Sequence, residues 1–422
     1  MIENANVIDK LKNKYLILAI WLLVSAYLVF AAIPKHDFYI YLLAAQDMFA
    51  GKNMYEATYV DGYHYFYSAL FTCFIYLFTF LPVYAATLIW LLLNALCLIR
   101  AIKIVSGYFN IRALPVKQQW IFLTLCTLAC VKFALANIEA QQITIIIFWM
   151  VLEGLEKIWK GKIVLGALLI ALAINFKLLP ILLLPYLIYR REFIATFLIV
   201  VFYGISLELP VLIIGTARNK FLLLEWWKLI NPTNQRHVLD TDEGGFASVT
   251  TWLSTLLVYQ EPKWNELKVN RNIANLSITQ LGYIINIVRL LFLAFSLYFF
   301  RTWPFVKKVG KTHRFWELSY FLIIIPLLFP HQQYYSFLFV APALCYIYYQ
   351  FMMHYTTMSR LKYRLTIAAM TLSFLLCNLG FIIGALDGYF RHFKILTYGI
   401  LLIVLLLAVS KPEAELKVES EK

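Results

Sequence analysis

Charge is scarce in this 422-residue chain: 14% of it is Asp, Glu, Lys or Arg, against about 25% in an average soluble domain. With 62% hydrophobic residues, that scarcity excludes an ordinary soluble protein. Walker, GxGxxG, HExxH and CxxCH motifs are all absent, so nucleotide hydrolysis, dinucleotide chemistry and common metalloprotease chemistry lack support. CxxC spacing is missing too. The six cysteines (Cys73, Cys97, Cys126, Cys130, Cys345, Cys377) all lie in apolar segments and read as packing residues, not as metal ligands or disulfides. The first apolar run lacks a small-x-small cleavage site and follows "KLKNK" (10–14), which predicts an uncleaved first helix.

Long apolar runs, in contrast, recur from "YLILAIWLLVSAYLVFAAI" (15–33) to "ILTYGILLIVLLLAV" (395–409). A membrane helix needs roughly 20 largely apolar residues, so the chain is expected to be an all-α polytopic membrane protein. Hydropathy places candidate spans near 15–33, 83–106, 118–135, 141–157, 163–176, 178–189, 193–214, 278–300, 315–329, 335–353, 364–384 and 392–410. The run 65–81, "YFYSALFTCFIYLFTFL", is ambiguous by hydropathy, and charge decides it. If it does not cross, the clusters Arg100/Lys103/Arg112/Lys117, Lys157/Lys160/Lys162, Arg190/Arg191, Arg301/Lys307/Lys308/Lys311/Arg314 and Arg360/Lys362/Arg364 fall on the side of both termini. That side then holds 23 of the 37 Lys and Arg residues, as the positive-inside rule requires of the cytoplasm. Twelve spans follow, with both ends cytoplasmic and 65–81 lying along the outer surface. The net charge of +14 is then a topology signal, and no nucleic-acid partner is expected. Two outer loops, 34–82 and 215–277, are large enough to build a site within one membrane domain (1–422).

Asp37, beside His36, follows the first span and opens "DFYIYLLAAQDMFA". Two roles suit it: an N-cap of that helix, and a general base at the membrane–water boundary. Lys177 stands in the apolar hairpin "GALLIALAINFKLLPILLLPYLIYRR", where a cation marks a functional site or snorkels to the interface. Arg289, in "YIINIVRLLFLAF", raises the same question. Lys132 and Glu139 flank "FALANI" and are expected to pair. His331 lies in an outer turn with Gln332, Gln333, Tyr334 and Tyr335, donors suited to a sugar. Asn234 and Gln235 have the same character, and Asp240, Asp242 and Glu243 form a solvated acidic run.

Several segments in order resemble glycosyltransferase family 87: "HDFYIYLLAAQDMFAGKNMYE", "YFYSALFTCFIYLFTFLPVYAATLIWLLLNAL", "ANIEAQQITIIIFWMVLEGLEKIWKGKIVLGALLIALAINFKLLPILLLPYLIYRR", "NPTNQ" and "FPHQQYYSFLFVAP". The resemblance covers roughly residues 15–350. It implies a GT-C fold and a polyprenol-phosphate-mannose-dependent mannosyltransferase-like activity, with a lipid-phosphate sugar donor and a glycan or glycolipid acceptor. Asp37, in its "DFY.Y" context, matches the family's general base, with His36 and Tyr39 beside it in reach of substrate. The "GQ" element appears as "EAQQ", so Gln141 fits while Glu139 and Ala140 depart. The Lys–Pro hairpin places Lys177; "NQS" becomes "NQR", keeping Asn234 and Gln235 with Arg236 in place of Ser; and Pro330-His331 matches the late Pro-His turn. The "VDGYHYFYSALF" segment lacks the family's usual Pro pair.

The mechanism implied is inverting transfer on the outer face of the cytoplasmic membrane, with Asp37 as base. Lys177, His331 and Arg289 would stabilise the departing phosphate, while Gln141, Asn234, Gln235 and Gln332 contact substrate. No divalent metal or other cofactor is required. A transporter of lipid-linked sugars and an O-antigen polymerase or ligase are the alternatives. The first predicts repeated halves with discontinuous helices, and no internal repeat is evident. The second usually carries its large loop late in the chain.

Overall fold

The computed structural model describes residues 14–33, 36–231, 245–260, 267–300, 305 and 309–412. Asn234, Gln235 and the acidic run Asp240–Glu243 lie outside the described residues. Every regular element among the described residues is helical, as expected where lipid offers the backbone no hydrogen-bond partner. The chain divides into two compact units, one of residues 1–107 with 134–234, the other of 108–133 with 235–422.

The first unit begins with α1 (Lys14–Ala31) and α2 (Asp37–Phe49). Next come α3 (Ala69–Tyr76), α4 (Val83–Ser106), α5 (Val116–Glu139, shared with the second unit), α6 (Thr144–Trp159), α7 (Ile163–Phe176) and α8 (Leu183–Tyr189). It closes with α9 (Phe193–Glu208), α10 (Val211–Ile214) and α11 (Thr216–Ile230). The second unit continues with α12 (Val249–Leu257), α13 (Ile278–Phe300), α14 (Lys311–Leu328), α15 (Ala341–His354), α16 (Arg360–Ile382), α17 (Asp387–His392) and α18 (Ile395–Val409).

Among the described residues, six helical stretches are long and apolar enough to cross a membrane: Val83–Ser106, Val116–Glu139, Phe193–Ile214, Ile278–Phe300, Tyr334–Thr357 and Arg360–Ile382. The pair Gly384–His392 and Ile395–Val409, bent by 79°, makes a seventh if taken as one broken span. Helices also occupy the other segments expected to span, but they are shorter, interrupted or less apolar: α7 has 14 residues, α8 has 7, and α14 carries Pro326 inside it. The ambiguous run 65–81 forms the 8-residue α3 followed by a 4-residue 3-10 turn, Leu77–Phe80. This is well short of the roughly 20 residues a span needs. Ser68 starts α3, its hydroxyl accepting from the Phe71 N–H.

Two glycines let α6 and α7 pack closely. A Cβ on Gly166 would stand 2.5 Å from the Gly154 carbonyl oxygen, and one on Gly154 would stand 2.7 Å from the Ile170 side chain. Close backbone approach through small residues is how apolar helices gain dispersion contact where lipid competes for their side chains. Elsewhere on these helices, Arg100 of α4 forms a double hydrogen bond with the Glu153 carboxylate of α6, at 2.7 and 3.0 Å, and Lys157 reaches the same carboxylate at 3.1 Å.

A candidate active site around Asp37

Asp37 is the first residue of α2, one position past the cap. His36 holds the N-cap position, in extended backbone and with no capping bond from its side chain. The expected N-cap role therefore passes to His36. Asp37 still sits in the first turn, where the positive end of the helix dipole favours a carboxylate. Its backbone N–H donates to the Ala140 carbonyl at 3.3 Å. His36, Asp37 and Tyr39 are all half-buried, so the carboxylate is neither sealed in the core nor fully in water.

Behind Asp37, α2 presents Phe38 and Tyr41 to an aromatic floor. Phe38 stacks on Trp90 of α4 with ring centroids 4.9 Å apart, and Tyr41 meets Tyr67 at 4.8 Å. The Tyr41 hydroxyl lies 2.8 Å from the Tyr67 hydroxyl and 3.1 Å from the Gln142 side-chain oxygen. Tyr67 donates to that same oxygen at 3.0 Å. Two phenols and an amide thus form a buried polar triangle. Tyr41 is four residues after Asp37, so the helical period places both on one side of α2. That spacing is legible in "DFYIY", whereas nothing local marks Tyr67 or Gln142.

Lys177 lies in the break between α7 and the 3-10 turn Leu179–Leu182, outside both. Its ammonium is 5.9 Å from the Tyr67 ring centroid. Burial lowers it to about 8, opposed by the attraction of the Asp37 carboxylate. Asp37 and Lys177 therefore act on each other electrostatically within one unit. The position of Lys177 is set two residues earlier by Asn175, which is fully buried. The Asn175 side chain accepts from the Ser68 hydroxyl at 2.6 Å and donates to the Ser206 hydroxyl at 2.9 Å, tying α7 to α3 and α9. The segment between α2 and α3 is held from its other side by α11. Trp226 donates to the Phe66 carbonyl at 3.0 Å, and the Arg218 guanidinium donates to the Lys52 carbonyl.

Gln141, expected to contact substrate, is fully buried. Its side-chain amide donates to the carbonyls of Ala31 and Ile33, both at 2.9 Å. Its own carbonyl accepts from the Trp90 indole at 2.8 Å.

The remaining candidates belong to the second unit. His331 adopts a left-handed backbone (φ 57°), is half-buried, and meets Phe246 edge-on at 5.2 Å. Gln332 is buried; its amide donates to the Pro330 carbonyl at 2.8 Å, and its carbonyl accepts from Ala247 at 2.8 Å. Arg289 lies midway along α13 and reaches Asn286, three residues earlier, at 3.4 Å. Lys132 does not take Glu139 as its partner: it donates to the Cys377 carbonyl at 2.9 Å and lies 4.2 Å over the Tyr334 ring. A backbone carbonyl and an aromatic face can satisfy a buried ammonium without a carboxylate.

A half-buried carboxylate, a cation of the same unit over the Tyr67 ring, aromatic side chains and hydroxyl donors suit a hydroxyl-bearing substrate that carries an anionic group. No curated protein and no solved structure matches the chain. The sequence pattern of glycosyltransferase family 87 matches residues 65–303, a stretch that contains Gln141, Gln142, Lys177 and Arg289 and lies between Asp37 and His331. That match covers more than half of the chain, and the apolar helices agree with a membrane enzyme that joins a sugar donor to an acceptor: the chain belongs to glycosyltransferase family 87.

Proposed function

We propose that the chain transfers a hexose, mannose first, from a polyprenyl-phosphate donor to a hydroxyl of a glycolipid or polysaccharide. The reaction is placed on the outer face of the cytoplasmic membrane, with about twelve spans, juxtamembrane helices on the outer face and both termini cytoplasmic. The acceptor oxygen attacks the anomeric carbon from the side opposite the phosphate. The new C–O bond forms as the old one breaks, the electron pair leaves with the polyprenyl phosphate, and the acceptor proton passes to Asp37. A cation beside the departing phosphate stabilises the charge that develops there. Lys177 is assigned that role, because it stands in the same unit as Asp37 and feels its carboxylate. The family match over 65–303 and the half-buried placement of Asp37 in the first turn of α2 carry the reading.

His36 and Tyr39 flank Asp37 and are assigned to substrate contact. His331, Arg289 and Gln332 keep roles drawn from the family pattern and from their residue types, as do Asn234 and Gln235. A phosphate leaving group held by cations needs no divalent metal.

The test is transfer in detergent-solubilised membranes with a panel of polyprenyl-phosphate sugars, comparing the wild type with Asp37→Asn. Turnover with at least one donor, lost in the variant, supports the reading. Full turnover in Asp37→Asn removes Asp37 from the base role. Movement of lipid-linked sugar across vesicles without any transfer would replace the enzyme by a transporter. Labelling of single cysteines placed in 34–82 and in the 157–162 loop tests the topology, since the two must be reactive from opposite sides.

A further inference from the structure

The turn between α5 and α6 is built around a residue in a conformation that turn would normally reserve for glycine. After α5 ends at Glu139, the Gln141 N–H donates to the Ile138 carbonyl and the Gln142 N–H to the Asn137 carbonyl, at 3.1 and 3.0 Å. This is the paired pattern of a Schellman helix end, whose left-handed position is usually glycine. Here it is Gln141, at φ 54°. A side chain in that region costs of order 1 kcal/mol or more, and such strain persists where surrounding contacts over-determine it.

Those contacts converge on the approach to Asp37. The Gln141 amide holds the carbonyls of Ala31 and Ile33, and the neighbouring Ala140 carbonyl holds the N–H of Asp37 itself. One two-residue turn therefore grips the chain on both sides of positions 34–35. The turn is in turn fixed by Trp90, whose indole binds the Gln141 carbonyl and whose ring stacks on Phe38, the residue after Asp37.

We propose that Gln141 is a positioning residue: with Ala140 and Trp90 it forms a clamp that sets the start of α2 and so aims the Asp37 carboxylate. The clamp does not touch substrate. This rests on Asp37 being the base.

Gln141→Gly separates the possibilities, because glycine keeps the left-handed turn and removes only the side chain. The assay uses the full chain in detergent with the polyprenyl-phosphate hexose that turns over, mannose tried first. A base displaced by about 1 Å loses about 100-fold, so the expected result is a kcat lower by about 10- to 100-fold with both KM values within about twofold. In an Asp37→Glu background, whose carboxylate is already displaced, adding Gln141→Gly should cost less than about threefold, because coupled residues are non-additive. Trp90→Phe, which keeps the stacking and deletes the indole donor, should show the same split with a smaller loss. Independently of turnover, hydrogen exchange should speed up in 36–40 of Gln141→Gly while 134–140 stays protected. A raised KM with kcat retained, equal losses in both backgrounds, or unchanged exchange at 36–40 each overturns the clamp. Full activity in Asp37→Asn overturns the base role instead, so the two failures are distinguishable.

Discussion

Helices α4 and α6 meet two different polar arrangements about 15 Å apart along α4, the length of ten helical residues. At one, Arg100, Glu153 and Lys157 are matched, acid against base, at 2.7–3.1 Å. At the other, Trp90 meets the turn before α6, and the match is incomplete. The Gln141 side-chain oxygen and the Gln142 side-chain nitrogen are buried with no hydrogen-bond partner among the described residues. An unmet buried polar group costs about 1–3 kcal/mol, and this turn carries two of those found among the described residues. The matched end holds α4 against α6, whereas the unmatched end belongs to the turn whose Ala140 carbonyl takes the Asp37 N–H, where the proposed chemistry is placed.

That contrast can be broken most sharply at Asp37. Replacing it by Asn should lower the transfer rate by at least about 100-fold, within the range of general-base catalysis, while the thermal midpoint moves by less than about 2 °C. Rate and unfolding temperature measured on one preparation check both halves of the statement. Lys177→Met comes next, with a loss of about 10- to 100-fold expected for removing a charge-stabilising donor.

The same lysine sets a pH limit. Burial favours its neutral form and lowers it to about 8, so the charge is present below that pH and is lost above it. Wild-type turnover should fall as pH rises through about 8, and Lys177→Arg should extend the plateau upward, since a guanidinium stays charged there. A profile that is unchanged in Lys177→Arg would detach the limb from this residue.

At the matched end the pattern should invert. Glu153→Gln removes the carboxylate shared by Arg100 and Lys157 and should lower stability by about 1 kcal/mol, since the half-exposed Arg100 can turn to solvent, visible as an earlier thermal transition, with kcat within about twofold of the wild type. The smallest effect is expected from Tyr67→Phe. It removes one hydroxyl of the Tyr41–Tyr67–Gln142 triangle, and a roughly threefold loss of kcat, equivalent to about 0.6 kcal/mol, should appear without a change in KM.

Much of the scaffold was legible in the chain before its folding was known. Apolar runs located the six helices long and apolar enough to cross a membrane, the lack of charge dictated a membrane setting, and the charge pattern, not hydropathy, set 65–81 apart from the spans. Asp37 and Lys177 stood out because a charged residue in apolar surroundings is rare. What misled is equally specific. Asp is a favoured cap, yet the chain places His36 at the cap and Asp37 one residue on, with the Asp37 N–H on the Ala140 carbonyl. Lys132 and Glu139, seven residues apart on one helix, looked like partners. The carbonyl of Cys377 and the ring of Tyr334 belong to segments more than 200 positions later, and no local pattern points to them. The Gln141 amide, matched to the family's Gln element, takes the carbonyls of Ala31 and Ile33, more than 100 positions earlier and equally unmarked by local pattern.

By itself, then, the sequence determined the helical membrane class, the family, and the residues where charge is placed against the grain. Those depend on hydropathy, period and local pattern, which are properties of neighbours along the chain. Only the tertiary structure decided that Tyr41, Tyr67 and Gln142 meet near Lys177, and that the Gln141 amide holds the carbonyls of Ala31 and Ile33. A hydrogen bond is set by distance in space, and the Tyr41–Gln142 pair spans 101 positions of sequence.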